Sequence, residues 1–139
     1  MKLSRRDLAL LFPALGAAQQ AQNELLPSKI YHSAQLPYKG DAKKKGRAFF
    51  RGANHSGFQF EMHETVLGPG TQTHAPHKHE HEEIIILVEG SVERHLDGAT
   101  EPVEAGSVIY FGSNQMHSVR NIGTAPCRYY VIELRGKES

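Results

Sequence analysis

Four residues of this sequence could together bind a divalent metal ion. His77 and His79 are one residue apart, so both imidazoles lie on the same face of an extended segment. Glu83 has the same parity, and His117 comes from a later segment. Three imidazoles and one carboxylate form a sufficient ligand set for Fe, Mn, Zn, Ni or Cu. Four protein ligands would leave open positions on a six-coordinate metal for water, oxygen or a substrate.

Short apolar or alternating runs separated by Gly, Pro and Asp-Gly turns must position these side chains. They predict strands over residues 46–51, 57–67, 83–88, 91–96, 108–111, 117–120 and 127–134. Because no segment beyond the N-terminus has sustained helical periodicity, the pattern indicates an all-β sandwich or barrel. The run 84–88 is apolar on both faces. We expect one face to fill the barrel and the other to pack on the second sheet or a dimer partner.

The spacing around the first two histidines resembles the first motif of the cupin family, G-x5-H-x-H-x3,4-E-x6-G. Gly70, His77, His79, Glu83 and Gly90 follow this order, with one extra residue between Gly70 and His77. The match is complete from His77 to Gly90.

A second stretch resembles the other cupin motif, G-x5-P-x-G-x2-H-x3-N. Gly106, His117 and Asn121 stand at the family spacing, whereas Gly112 replaces the proline and Asn114 the second glycine. Asn tolerates a left-handed backbone conformation, so we expect this turn to survive the replacement.

The resemblance covers residues 47–134 and implies a double-stranded β-helix, that is, a jelly-roll barrel. It also implies that His77, His79, Glu83 and His117 are the metal ligands. Single-domain members of the family are commonly dimers, so we expect a homodimer.

Other polar residues are candidates for proton transfer or cavity lining. We favour an outward-facing His81 over a base near the metal, and a surface position for His74 over an acid or base at the barrel mouth. Both remain catalytic candidates, together with Tyr110 and Arg94. Further candidates for the cavity are Tyr129, Gln115, His63 and His95. The residues predicted to line the barrel or fill its core are Phe60, Met62, Ile85, Leu87, Val119 and Val131.

The fold does not select one reaction, because cupins include enzymes and non-catalytic binders. The first hypothesis is a metal-dependent enzyme of the dioxygenase, isomerase or lyase type that acts on a small organic substrate. The alternative is a module that binds a metal or small ligand without turnover. A proton-transferring side chain aimed at the metal would favour the enzyme, and a purely apolar cavity would favour the binder.

The composition excludes several other classes. The chain has 139 residues, enough for one domain, with 16 Lys and Arg against 15 Asp and Glu. This balance gives no indication of nucleic-acid or anionic-membrane binding. The single cysteine, Cys127, cannot form an intramolecular disulfide and is predicted to be a buried structural thiol.

The N-terminus is typical of an export signal. Lys2, Arg5 and Arg6 precede a short apolar run, and residues 4–8 resemble a twin-arginine signal. The run is too short to span a bilayer. We therefore predict a signal peptide over residues 1–22, an extended arm over 23–45 and a cupin barrel over 46–135. The mature protein would be periplasmic or secreted and would not be bound to the membrane.

Overall fold

The computed structural model describes residues 25–137, and the predicted signal peptide lies outside them. The described residues contain nine strands and one 3₁₀ turn, Ser33–Gln35. The strands are β1 (Lys39–Gly40), β2 (Lys44–Ala53), β3 (Phe58–Leu67), β4 (Glu82–Glu89), β5 (Ser91–Leu96), β6 (Ala99–Glu104), β7 (Val108–Phe111), β8 (His117–Asn121) and β9 (Cys127–Lys137). Within this range no helix is long and apolar enough to cross a membrane.

Two antiparallel sheets form the barrel. The larger sheet has the order β1-β2-β3-β9-β4-β7, and the smaller has the order β6-β5-β8. The all-β jelly-roll prediction is confirmed. The sequence patterns did not predict β1 or β6. The first has only two residues, and β6 is an almost fully exposed edge strand that contains Pro102, so neither carries a buried apolar face.

The core lies between the inner faces of the two sheets. Ile85 of β4 pairs with Ile109 of β7 and with Val131 of β9, and the three side chains share one face because paired residues point the same way. The buried apolar residues of the core are Leu67, Ile85, Leu87, Val92, Ile109, Phe111, Val119, Cys127, Tyr129 and Val131.

The prediction that Phe60 and Met62 lie in the core is wrong. Met62 pairs with Ile132 on the outer face of the larger sheet, and the side chains of Phe60 and Met62 are only half-buried. The inner face of β3 instead carries the polar residues Glu61, His63 and Thr65, whose partners on β9 point inward. Polar residues occupy this face because it lines a cavity rather than a dry core.

Cys127 confirms the prediction of a buried structural thiol. The residue is completely buried, and burial raises the pKa of its thiol. A Cβ added at Gly90 would lie 2.8 Å from the Cys127 Cβ, and Gly90 has a φ of 86°. The last glycine of the first motif therefore allows β4 to turn closely over the start of β9.

The N-terminal segment is held against the outer side of β2. The Leu26 amide donates to the Ala53 carbonyl at 2.9 Å, and the Tyr31 and Phe50 ring centroids lie 5.1 Å apart. The Arg47 guanidinium donates to the Ser33 carbonyl at 2.8 Å. These contacts place β1 beside β2 at the edge of the larger sheet.

Candidate metal centre

Three imidazoles converge at one end of the barrel cavity. The rings of His77, His79 and His117 have centroids 4.8–5.0 Å apart, and one nitrogen of each lies within 4.8 Å of the others. His79 and His77 belong to the connection between β3 and β4, whereas His117 begins β8. Reciprocal backbone hydrogen bonds between His77 and His117, at 2.9 and 3.1 Å, join the two segments.

Glu83 supplies a carboxylate to the same centre. It lies on the inner face of β4, with Oε1 3.0 Å from His79 Nε2 and Oε2 3.5 Å from His117 Nε2. Its side chain is 11% exposed. The structure thus brings together the four residues that the two sequence motifs single out.

Backbone carbonyls orient two of the imidazoles. His79 Nδ1–H donates to the His81 carbonyl and His117 Nδ1–H to the Gln115 carbonyl, each at 2.8 Å. In the neutral rings these bonds leave the Nε2 lone pairs directed toward Glu83. A lone pair and a carboxylate oxygen repel each other, so a cation must lie between them, either a second proton on the ring or a metal ion.

Buried nitrogen atoms without partners support the metal. Among the described residues, His117 Nε2 and His77 Nδ1 are buried and have no hydrogen-bond partner. An unsatisfied buried polar atom costs roughly 1–3 kcal/mol, and metal coordination would remove this cost. Burial, assisted by the neighbouring imidazoles, lowers the pKa of His77 and keeps it in the neutral form that binds metals. The donor set therefore fits a divalent metal.

The turn before β8 positions the centre from the other side. Asn114 adopts the expected left-handed conformation, with a φ of 60°. Its backbone N–H donates to the His79 carbonyl at 2.7 Å. The Gly112 amide donates to Gln115 Oε1 at 2.9 Å. This hydrogen bond to the Gln115 side chain thus fixes the turn, which in the family motif is stiffened by a proline at the position of Gly112.

His81 and Glu133 form a polar pair beside the four residues. His81 Nε2 lies 3.1 Å from Glu133 Oε2 and 3.6 Å from Glu83 Oε1, and the His81 ring stacks on His79. Both residues line the cavity. This geometry corrects the interpretation that favoured an outward-facing His81. The side chain keeps the inward side that it shares by parity with His79 and Glu83, and the bend at residues 80–81 does not turn it outward.

Glu133 was not among the site residues predicted from the sequence. Burial and then the neighbouring Glu61 raise the pKa of its carboxyl to about 7, while burial lowers the pKa of His81. Glu133 shares its inward parity with the core residues Tyr129 and Val131. A single acid among the inward residues of an apolar strand is the signal that could have revealed it.

Two further histidines reach the cavity. His74 is exposed at the mouth, and its ring meets the His77 ring edge-on with centroids 3.8 Å apart. His74 is therefore both a surface residue, as favoured from the sequence, and a residue at the mouth of the barrel, which was the alternative. His63 lines the inner wall on β3, and burial lowers its pKa.

Tyr110, Arg94 and His95 do not line this cavity. Tyr110 is 54% exposed and donates to Glu82 at 2.7 Å, because it pairs with the outward Ile84. Arg94 forms an ion pair with Glu101 at 2.8 Å on the smaller sheet. His95 contacts Glu93. Of the other candidates, Tyr129 lies on the cavity wall, and Gln115 acts through its contacts with Gly112 and His117.

The cavity is large enough for a small organic molecule. Its volume is about 480 Å³, within the usual range of ligand pockets. The apolar part of its wall includes Ile85, Phe111, Val119 and Val131.

The comparison with known families identifies the class of this barrel. The Cupin_2 family, described as Cupin domain, matches residues 63–133, a little over half of the chain. The protein belongs to the cupin family. The matched range includes both motifs and all four converging residues. The comparison with curated proteins finds no match.

Solved structures share the fold at low sequence identity. A predicted oxalate decarboxylase from Thermotoga maritima has 19% identity and a TM-score of 0.66, covering 77% of this chain and 99% of that chain. A Cupin 2 conserved barrel domain protein from Salinispora arenicola has 24% identity and a TM-score of 0.62, with coverage of 78% and 89%. The polyketide cyclase RemF from Streptomyces resistomycificus has 21% identity and a TM-score of 0.62, with coverage of 82% and 83%.

Proposed function

We propose that this cupin is a metal-dependent enzyme that acts on a small organic substrate, with His77, His79, Glu83 and His117 as the metal ligands. The observation that carries this proposal is the convergence of three imidazoles, with Glu83 3.0 Å from His79 and 3.5 Å from His117, and with buried ring nitrogens that have no hydrogen-bond partner among residues 25–137. A bound divalent metal would supply a Lewis acid at the end of the cavity.

The residues around the centre support catalysis rather than passive binding. His81 Nε2 contacts Glu133 Oε2, so a proton can be held between these atoms and exchanged with a substrate in the cavity. The apolar residues of the wall would limit the access of water to that substrate. The position of this pair next to Glu83 favours the enzyme hypothesis. Reactions of the dioxygenase, isomerase and lyase types can each use a metal and a proton-transferring group.

A paired-variant experiment tests the enzyme proposal. The protein is loaded separately with Fe, Mn, Zn, Ni and Cu and screened for oxygen uptake and for isomerase and lyase turnover of small hydroxy and carbonyl compounds. His81→Gln is expected to reduce kcat at least about 100-fold with unchanged metal content, because it removes general acid–base catalysis. His95→Gln, outside the cavity, is the matched control. Tight ligand binding without turnover for any metal would instead establish the binding module.

The expected homodimer has a candidate surface on the outer face of the larger sheet. Val108 and Tyr110 are 63% and 54% exposed there, beside the half-buried Ile84 and Ile86. Such apolar clusters favour association. Light scattering should give a dimer mass for the parent and a monomer mass for Val108→Lys. Ile30→Lys, on the N-terminal segment, is the control.

Export remains a proposal that rests on residues 1–22. If the twin-arginine interpretation is correct, the protein folds and acquires its metal before it crosses the membrane. Fractionation of cells should then find the protein outside the cytoplasm. Replacement of Arg5 and Arg6 by Lys should retain it inside, and unchanged export would contradict the twin-arginine route.

A further inference from the structure

The open end of the cavity has two lysines, Lys39 and Lys44, which we call the lysine corner. We propose that the lysine corner binds the oxyanion group, a carboxylate or phosphate, of a small organic anion whose other end reaches the metal centre. This inference rests on the proposed function and specifies its substrate class.

Strand register directs both lysines toward the cavity. Lys44 of β2 pairs with Leu67 of β3, and Lys39 of β1 pairs with Gly46. Leu67 is a core residue, and Gly46 pairs in turn with the buried Thr65. Because directly paired residues point to the same face, both lysine side chains leave the backbone on the inner side of the sheet. Both residues line the cavity, and Gly46 between them adds no side chain to this wall.

A hydrogen bond fixes one ammonium group near the metal centre. Lys44 Nζ donates to the Thr73 carbonyl at 2.6 Å. Thr73 directly precedes His74, whose ring contacts His77. An ammonium group has three donors, so Lys44 can still bind an anion.

The charges of the lysine corner are not neutralised within the protein. Among residues 25–137, no carboxylate forms an ion pair with Lys39 or Lys44, whereas the adjacent Arg47 is paired with Glu64 on the outer face. Asp41 is nearby, but its carboxylate accepts the backbone amides of Lys43 and Lys44. The two ammonium groups are therefore available to an exogenous anion.

The metal centre has the complementary chemistry. Glu83, His81 and Glu133 lie at this centre, and the cavity that contains them also includes the lysine corner and apolar side chains. A ligand that fits both sites has an anionic group for the lysine corner and an oxygen for the metal centre, joined by a short carbon chain. Lysine acts as a point charge, so carboxylate and phosphate are both suitable.

Calorimetry with matched anionic and neutral probes tests this inference. The full chain is loaded with Zn²⁺, and binding is measured for γ-hydroxybutyrate against butanediol and for glycerol phosphate against glycerol. At least one anion should bind more tightly than its neutral counterpart, and the preferred anion distinguishes carboxylate from phosphate. Lys39→Met and Lys44→Met should each weaken that binding about fivefold, as expected for partly exposed charge pairs.

The controls separate charge from structure. Lys45→Met removes the same charge from the outer face of β2, where Lys45 lies over the Tyr38 ring, and should leave affinity within about twofold. Lys44→Arg should retain most of the binding. Equal affinity in the Lys39→Met/Lys44→Met double variant, or no preference for either anion, overturns the inference.

Zinc content measured in the same samples separates the two failures. If the protein contains zinc and anion affinity does not depend on Lys39 or Lys44, only the lysine corner is contradicted. Absence of zinc contradicts the proposed metal-dependent function. Anion binding to the metal-free protein that still depends on Lys39 and Lys44 would then support the lysine corner alone.

Discussion

Asn121, the last residue of the second motif, should stabilise the barrel without taking part in its chemistry. The side chain is completely buried. Its Nδ2 donates to the Leu67 and Ala125 carbonyls, each at 2.9 Å, and its Oδ1 accepts the Gly123 amide at 2.8 Å. These bonds tie the end of β8 to the end of β3 and to the following turn.

Asn121→Ala would leave these three backbone groups without their partner. At about 1 kcal/mol for each lost hydrogen bond, the free energy of unfolding should fall by roughly 3 kcal/mol. For a chain of this size the midpoint of thermal unfolding should fall by about 10 °C. Because Asn121 does not contact the metal centre, metal affinity measured well below the transition should change less than about threefold.

Calorimetric unfolding of the parent, Asn121→Ala and Asn54→Ala tests this reasoning. Asn54 is the control, because its side chain also bonds to the backbone: its Oδ1 accepts the amides of Ser56 and Phe58 at 2.9 and 3.0 Å. The Asn54 turn is open to water, so the control should lose only about 1 kcal/mol. A loss for Asn121→Ala no larger than that of the control would refute the structural role. So would loss of metal from a variant that is still folded.

Three further predictions concern separate residues. In metal-free protein the raised pKa of Glu133, about 7, favours its neutral form, so this carboxyl by itself should make the parent less stable as the pH rises from about 4.5 to about 7. The free energy of unfolding, measured by urea titration at about pH 5 and about pH 8, should therefore fall by roughly 2 kcal/mol less in Glu133→Gln than in the parent. The same pH dependence of stability in both proteins would contradict the raised pKa of Glu133. Cys127 should resist a thiol reagent in the folded protein and react once guanidinium unfolds it; rapid native reaction would show that it is accessible. The free energy of unfolding of Asn114→Gly should lie within about 0.5 kcal/mol of that of the parent. Asn114→Val should be less stable by more than about 1 kcal/mol, because a β-branched residue disfavours the left-handed backbone at this position. Equal stability of these two variants would contradict that explanation.

Local sequence patterns predicted the features that depend on spacing along the chain. The predicted strand over residues 91–96 coincides with β5, and the prediction over 108–111 coincides with β7. Spacing also placed His77, His79 and Glu83 on one face, whereas His117 was assigned to the same site by the resemblance to the second cupin motif.

Features that depend on the pairing of distant strands could not be predicted. Tyr110 faces outward because it pairs with Ile84, whereas Phe111, one residue later, faces the cavity with Glu83. Glu133 reaches the centre only because β9 lies between β3 and β4. Hydrophobicity favoured Phe60 and Met62 as inward residues, but the polar cavity reversed this expectation for β3.

Metal analysis of protein purified from the compartment where it acts is the decisive test of the proposed metal centre. This centre should contain about one divalent metal ion per chain, lose most of that metal in His79→Ala, and retain it in His95→Ala, whose side chain does not line the cavity. Protein that is folded but contains no metal, or a His79→Ala variant with the metal content of the parent, would contradict it.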